Sequence, residues 1–155
     1  MFVRDDDYIK FLQSPEKYIK AKPTFKKMIP DPGIPSIEYP ILTLKDIELH
    51  MEHYKTPAEA IKKWNDRKKR INWYDLLVMM YTEREDILDK FDQLPYGKKI
   101  CFVPFKTNKP SAFYLPPEIV RGRRFSDAVN DTARGPYEIY DLLDILLYGK
   151  NTILK

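Results

Sequence analysis

Cysteine and histidine are both scarce in this sequence. Cys101 is the single cysteine of 155 residues, so an intramolecular disulfide cannot form. Its position inside an apolar run predicts a buried thiol in a reducing compartment. His50 and His53 are the two histidines, and no cysteine stands near them. Because zinc normally takes three or four such ligands, the sequence predicts no metal site, and it identifies no cofactor.

Long apolar runs are also missing. No stretch reaches the roughly 18 apolar residues that a membrane-spanning helix needs. The acidic start, with carboxylates at residues 5–7, is unlike a secretory signal. We therefore expect a cytoplasmic protein without a transmembrane segment.

The sequence also lacks a large excess of either charge, and it lacks the common nucleotide-binding motifs. The 27 basic residues are mixed with 23 acidic ones, which leaves a net charge of +4 that indicates no particular partner. Glycine-rich phosphate-binding patterns such as GxGxxG and GxxxxGK[ST] do not occur. Any anion site must therefore be built differently.

Apolar material is present in quantity: 43% of residues are hydrophobic and 14% are aromatic. This composition and length predict one folded domain over residues 1–155. Prolines recur between residues 22 and 40, which predicts an extended proline-rich loop there. Leucine and isoleucine spacing predicts a closing helix over 136–148, after an irregular segment that carries four arginines.

Strand and helix patterns alternate through the middle of the chain. Alternation at 46–51 predicts a strand, and Thr56-Pro57-Ala58-Glu59 is typical of a capped helix start. Apolar runs at 76–81 and 99–105 predict buried strands, and Thr82-Glu83-Arg84-Glu85 predicts a helix between them. A further short strand is expected at 112–115. The order indicates an α/β fold, a small mainly parallel sheet with flanking helices built from βαβ units.

Ligands of parallel sheets bind beyond the carboxyl ends of the strands, where helix amino termini point. His53 follows one predicted strand and is the candidate catalytic residue, since imidazole exchanges protons near neutral pH. A local structural hydrogen-bond role is the alternative. The candidate substrate-binding residues in these connections are Tyr54, Lys55, Thr82, Arg84 and Lys106.

The first long helix carries a basic cluster at 62–70. At 100° per residue its cations spread around the helix, so we do not expect a nucleic-acid partner, although such binding is a competing hypothesis. Arg67 shares the apolar stripe of Trp64, and both are predicted to be structural, with Arg67 partly buried against Trp64.

Several local motifs also resemble one known family. They are His53-Tyr54 before the helix, Glu59-Ala60, Lys63-Trp64, Arg67-x-x-Arg70-Ile71-Asn72, Phe91-Asp92-Gln93-Leu94 and Lys98-Lys99-Ile100. This pattern resembles a bacterial domain-of-unknown-function family numbered nineteen-nineteen, over residues 7 to about 105. Members are often described as exopolysaccharide or capsule biosynthesis proteins. They usually carry an amino-terminal strand with an asparagine-asparagine-cysteine-tryptophan-glycine-glycine segment, which this sequence lacks.

The resemblance implies an α/β fold and a role in surface-polysaccharide assembly. One expectation is a glycosyltransferase-like enzyme that takes a nucleotide-sugar donor and a glycan acceptor, with Arg84 or Lys106 at the diphosphate and His53 as base. The alternative is a noncatalytic assembly partner or an inactive truncated copy. The oligomeric state is left open.

Overall fold

The structure is a computed structural model that describes residues 1–117. The chain divides into two compact units, Met1–Asn72 and Trp73–Lys155. The arginine-rich segment and the closing helix expected at 136–148 lie outside the described residues.

The first unit contains three helices and an antiparallel sheet. Its elements are α1 (Asp5–Gln13), α2 (Pro15–Ile19), β1 (Thr24–Pro30), β2 (Glu38–Leu44), β3 (Ile47–His50) and α3 (Pro57–Lys68). The strand order is β1-β2-β3, and both neighbouring pairs are antiparallel. A two-residue turn with Lys45 at a φ of 56° joins β2 to β3, which brings the two strands directly side by side.

The core of this unit lies between the sheet and the helices. Leu42, Leu44 and Ile47 are fully buried, and Trp64 of α3 belongs to the same cluster. Thr56 accepts a hydrogen bond from the Glu59 backbone amide at 3.3 Å, as the sequence predicted, so α3 begins with one amide satisfied.

The second unit contains a parallel sheet in its described part. Its elements are β4 (Leu77–Tyr81), α4 (Glu85–Asp92), β5 (Lys98–Val103) and β6 (Ala112–Tyr114). The strand order is β4-β5-β6, and both pairs are parallel. Ile100, Phe102 and Phe113 form a buried cluster on one face of the sheet. The predicted β4-α4-β5 unit is therefore confirmed.

Two sequence predictions need correction. The single mainly parallel sheet is wrong, because the strand at 46–51 became β3 of an antiparallel sheet instead of pairing with β4. The extended loop over 22–40 is replaced by strand β1, a turn and the start of β2. Pro30 ends the edge strand β1, and Pro40 lies beyond the last β2–β3 pair, Ile41 with His50, so neither proline has to donate to a ladder between β2 and β3.

Candidate functional site

The carboxyl ends of β4, β5 and β6 lie along one edge of the parallel sheet. Tyr81 is paired with Phe102, and Val103 with Tyr114, so the three strands finish at neighbouring positions. Thr82 follows the first strand, and Lys106 lies in the connection after the second. We call this set, Thr82, Arg84, Lys106 and Tyr114, the carboxyl-edge site.

Thr82 is a buried structural part of this edge. It is 1% exposed, and its backbone amide donates to the carbonyl of Phe102 at 3.1 Å. Its hydroxyl oxygen accepts from the Arg84 amide at 3.2 Å. The side chain therefore shapes the turn into α4 and is not presented to a ligand.

Arg84 is exposed but already engaged. Its guanidinium donates to both carboxylate oxygens of Asp86, at 3.0 and 2.7 Å. This pairing lowers the pKa of Asp86 and keeps it charged. Because Glu85 and Asp86 stand in the first turn of α4, their charges oppose the positive end of the helix dipole. An incoming anion would compete with these carboxylates.

Lys106 is the more open cation of the edge. Its ammonium lies 6.0 Å from the centre of the Tyr114 ring, and both side chains are exposed. None of the carboxylates in residues 1–117 forms an ion pair with it. The edge therefore combines a positive charge with an aromatic face, and sequence analysis missed Tyr114 because a tyrosine at the end of a short strand is common.

The turn between β3 and α3 contains three of the predicted site residues, and they differ in exposure. His53 and Lys55 are exposed, whereas Tyr54 is 7% exposed and belongs to the core of the first unit. The Tyr54 amide donates to the Met51 carbonyl at 2.9 Å. No hydrogen-bond partner of His53 occurs within residues 1–117. The geometry favours a structural role for Tyr54 and leaves His53 in solvent.

Trp64 and Arg67 differ in burial. Trp64 is 6% exposed and packs in the core of its unit. Arg67 is exposed, not partly buried as expected, and its guanidinium lies 5.9 Å from the centre of the Tyr54 ring. The helical stripe predicted burial wrongly because the arginine side chain is flexible. It extends towards Tyr54 in the turn before α3 and keeps its charge in water.

His50 is the chemically unusual residue that sequence analysis passed over. It is 2% exposed, and its Nδ1 lies 3.4 Å from the hydroxyl oxygen of Tyr39. Burial, and then the charge of Arg4, lower the pKa of His50. Strand alternation placed His50 opposite Leu49, and that opposite face proved to be covered as well. The pattern alone gave no sign of this cover.

The predicted site residues are divided between the two units. His53, Tyr54 and Lys55 belong to Met1–Asn72, whereas Thr82, Arg84 and Lys106 belong to Trp73–Lys155. Groups of three or more potential metal ligands are absent from the part of the chain that the structure describes. In the same part, no helix is long and apolar enough to cross a membrane.

These features define a mixed α/β protein with a candidate ligand site at the edge of its parallel sheet. The model of a family described as "Domain of unknown function (DUF1919)" matches residues 1–145. The chain belongs to this family, which confirms the family resemblance read from the motifs around His53 and Trp64. The description names no reaction, and neither a link to polysaccharides nor the absence of an amino-terminal segment is part of the match.

One curated relative is an "Uncharacterized protein" of Haemophilus influenzae. It is 32% identical over 124 residues, which make up 74% of this chain and 54% of the relative. The chain therefore spans about half the length of that relative.

Proposed function

We propose that this protein is a sugar transferase of exopolysaccharide or capsule biosynthesis that binds a nucleotide-sugar donor at the carboxyl-edge site. The observation that carries the proposal is the alignment of three parallel strand ends next to the Lys106 and Tyr114 pair. Ligands of open parallel sheets commonly occupy this edge.

The side chains at this edge fit the two halves of such a donor. The Lys106 ammonium is a point charge suited to a diphosphate. The exposed face of Tyr114 offers a surface on which a base or a sugar ring can stack. Arg84 adds a second exposed positive charge near this edge, and Thr82 keeps the turn in place.

Proton transfer needs a separate group, and His53 is the proposed base on the hydroxyl of a glycan acceptor. Its exposure leaves the imidazole free to meet a bound acceptor. Lys55, exposed two residues later, is the proposed contact to that acceptor.

Binding is tested by calorimetry with UDP-glucose, and then with other nucleotide sugars. Loss of one charge-assisted hydrogen bond, worth about 1.5–3 kcal/mol, corresponds to roughly tenfold or greater weakening in Lys106→Ala. Lys109→Ala is the matched control, because this lysine lies on the same connection and pairs with Asp89 at 2.8 Å. Equal affinity of the two variants, or no binding of any donor by the native protein, would refute the carboxyl-edge site.

Catalysis is tested separately by sugar transfer to an oligosaccharide acceptor. We expect His53→Ala to lose turnover while donor affinity stays within twofold, as expected for a residue that acts on the acceptor. Retained turnover in His53→Ala would remove the base assignment without touching the binding site.

A second candidate is a noncatalytic partner in polysaccharide assembly, which the exposed apolar side chains of the β1–β2 hairpin favour. Phe25, Ile34 and Ile37 are each about half exposed, at 48%, 53% and 46%. Ile34 and Ile37 are neighbours in the turn, where the Ile37 amide donates to the Ile34 carbonyl at 2.8 Å, and adjacent exposed apolar side chains are typical of contact surfaces. Pull-down with co-expressed polysaccharide enzymes should lose its partner in Ile34→Asp/Ile37→Asp, and an unchanged yield would exclude the hairpin.

A further inference from the structure

His50 is buried in the first unit without full hydrogen bonding. Its Nε2 has no hydrogen-bond partner among residues 1–117, and the nearest carboxylate oxygen, Oε2 of Glu48, is 3.9 Å away. The Nδ1 contact with Tyr39, at 3.4 Å, is long for a hydrogen bond. Whichever tautomer is present, one ring nitrogen is left unpaired, so this side chain contributes little polar stabilisation to the neutral state.

Phe2 lies over this imidazole. Phe2 and His50 exchange two backbone hydrogen bonds, of 2.8 and 2.9 Å, and their rings lie 4.6 Å apart. Val3 packs against the core cluster of the unit. Phe2 itself is 43% exposed, so the cover over His50 is thin.

Charged groups surround His50 on several elements. Arg4 precedes α1, Asp7 lies within it, and Glu48 and Glu52 stand on β3 and just after it. Lys26 of β1 holds the other oxygen of Glu48. Tyr39 of β2 is a neutral phenol, since burial raises its pKa.

Protonation would place a cation beneath Phe2 with no hydrogen-bond acceptor in contact with Nε2. Arg4 repels this cation, and the nearest attraction comes from Glu48, which is already shared with Lys26. The imidazolium would gain most by reaching water, which requires Phe2 to move away.

We propose that His50 is a pH-sensitive latch that holds residues 1–3 on β3 while the imidazole is neutral and releases them when it is protonated. Release breaks both Phe2 hydrogen bonds and leaves the amide and carbonyl of His50 free at the edge of β3. The proposal goes beyond the proposed function and does not depend on it.

Nuclear magnetic resonance of the full chain tests the latch by following the backbone order of residues 2 and 3 from pH 8 to pH 4.5. We expect ordered amides at high pH and their loss with a midpoint below the ordinary histidine pKa of about 6.5. His50→Gln should keep residues 2 and 3 ordered throughout this range. His53→Gln is the matched control, since this second histidine is exposed, and it should behave as the native protein does.

Arg4→Gln keeps the test decisive if His50→Gln does not fold, because Arg4 is exposed. Removal of its charge should move the midpoint to higher pH. Order at residues 2 and 3 that persists to pH 4.5 in the native protein would overturn the latch. A transition that is unchanged in a folded His50→Gln, or in Arg4→Gln, would overturn it equally.

Discussion

The two units each contain a three-stranded sheet, which is antiparallel in Met1–Asn72 and parallel in the described part of Trp73–Lys155. In Met1–Asn72 a two-residue turn returns the chain at once, so β2 and β3 pair antiparallel. In Trp73–Lys155 helix α4 connects β4 to β5, and these two strands pair parallel. The comparison teaches that the connection, more than the strand sequence, decides which pairing forms.

Buried polar groups differ between the units as well. In the second unit, buried Thr82 and Ser111 both have hydrogen-bond partners, Arg84 and Asp92. In the first, His50 keeps a nitrogen unpaired. A buried polar group that has its hydrogen-bond partners stabilises one conformation. A buried group without a partner loses little free energy when the surrounding structure changes.

Core truncation should give the largest effect and compare the two sheets directly. Phe102→Ala removes a fully buried ring of the parallel sheet, for which we expect a loss of about 3–5 kcal/mol in the free energy of unfolding. Leu44→Ala in the antiparallel sheet should lose about 2–5 kcal/mol. Hydrogen exchange of amides in β5 and β2 measures both, and an effect below 1 kcal/mol in either variant would contradict the packing described.

The Ser111 hydrogen bonds test whether satisfied polar groups stabilise the second unit. The hydroxyl donates to Asp92 at 2.6 Å, and the backbone amide donates to the same oxygen at 3.1 Å. Because one partner is charged, Ser111→Ala should cost about 1.5–3 kcal/mol, measured by urea denaturation. Ser36→Ala, at an exposed position of the first unit, is the control and should leave the denaturation midpoint unchanged.

Loss of the α3 cap should have a smaller effect. Thr56→Ala removes the acceptor for the Glu59 amide, which should cost about 1 kcal/mol in thermal or urea unfolding. Thr56→Ser keeps the oxygen and should recover most of that loss. If Thr56→Ser is as unstable as Thr56→Ala, the hydroxyl is not the stabilising group.

The smallest expected difference lies in the pH range over which each unit weakens. The pKa of His50 lies below its usual 6.5, so its neutral burial stabilises fully above pH 6.5, and that stabilisation declines as pH falls below it. For Asp92 burial raises the pKa, but the Ser111 hydrogen bonds outweigh burial and bring it below 3.8. This stabilisation is present above pH 3.8 and is lost in stronger acid.

Hydrogen exchange at pH 5 therefore separates the two ranges. Protection in β3 should be lower at pH 5 than at pH 7.5, and protection in β5 should be unchanged once intrinsic rates are corrected. Ser111→Ala should raise the pKa of Asp92 towards its ordinary value, so β5 should lose less stability in strong acid than it does in the native chain. Equal pH sensitivity of both strands would remove the distinction between the units.

Local signals predicted a large part of the fold. The cap at Thr56 predicted α3 and the apolar run at 76–81 predicted β4, because such signals act within a few residues. The cap predicted at Thr82 is wrong, since α4 begins at Glu85, follows Arg84 and has no side-chain cap. The carboxyl-edge position of Lys106 followed from the same βαβ pattern. Prolines concealed β1 and the start of β2, since a strand edge tolerates them and the edge is defined only by distant partners.

By itself, the sequence determined the start of α3, the buried strands of the parallel sheet and membership of the DUF1919 family. Only the tertiary structure decided that β3 joins an antiparallel sheet, that Tyr114 lies beside Lys106, and that Phe2 covers His50. The physical reason is the separation along the chain of the residues that interact. Caps and periodicity are contacts between residues a few positions apart, whereas pairing, burial and the pKa of a buried imidazole depend on residues far away in the chain.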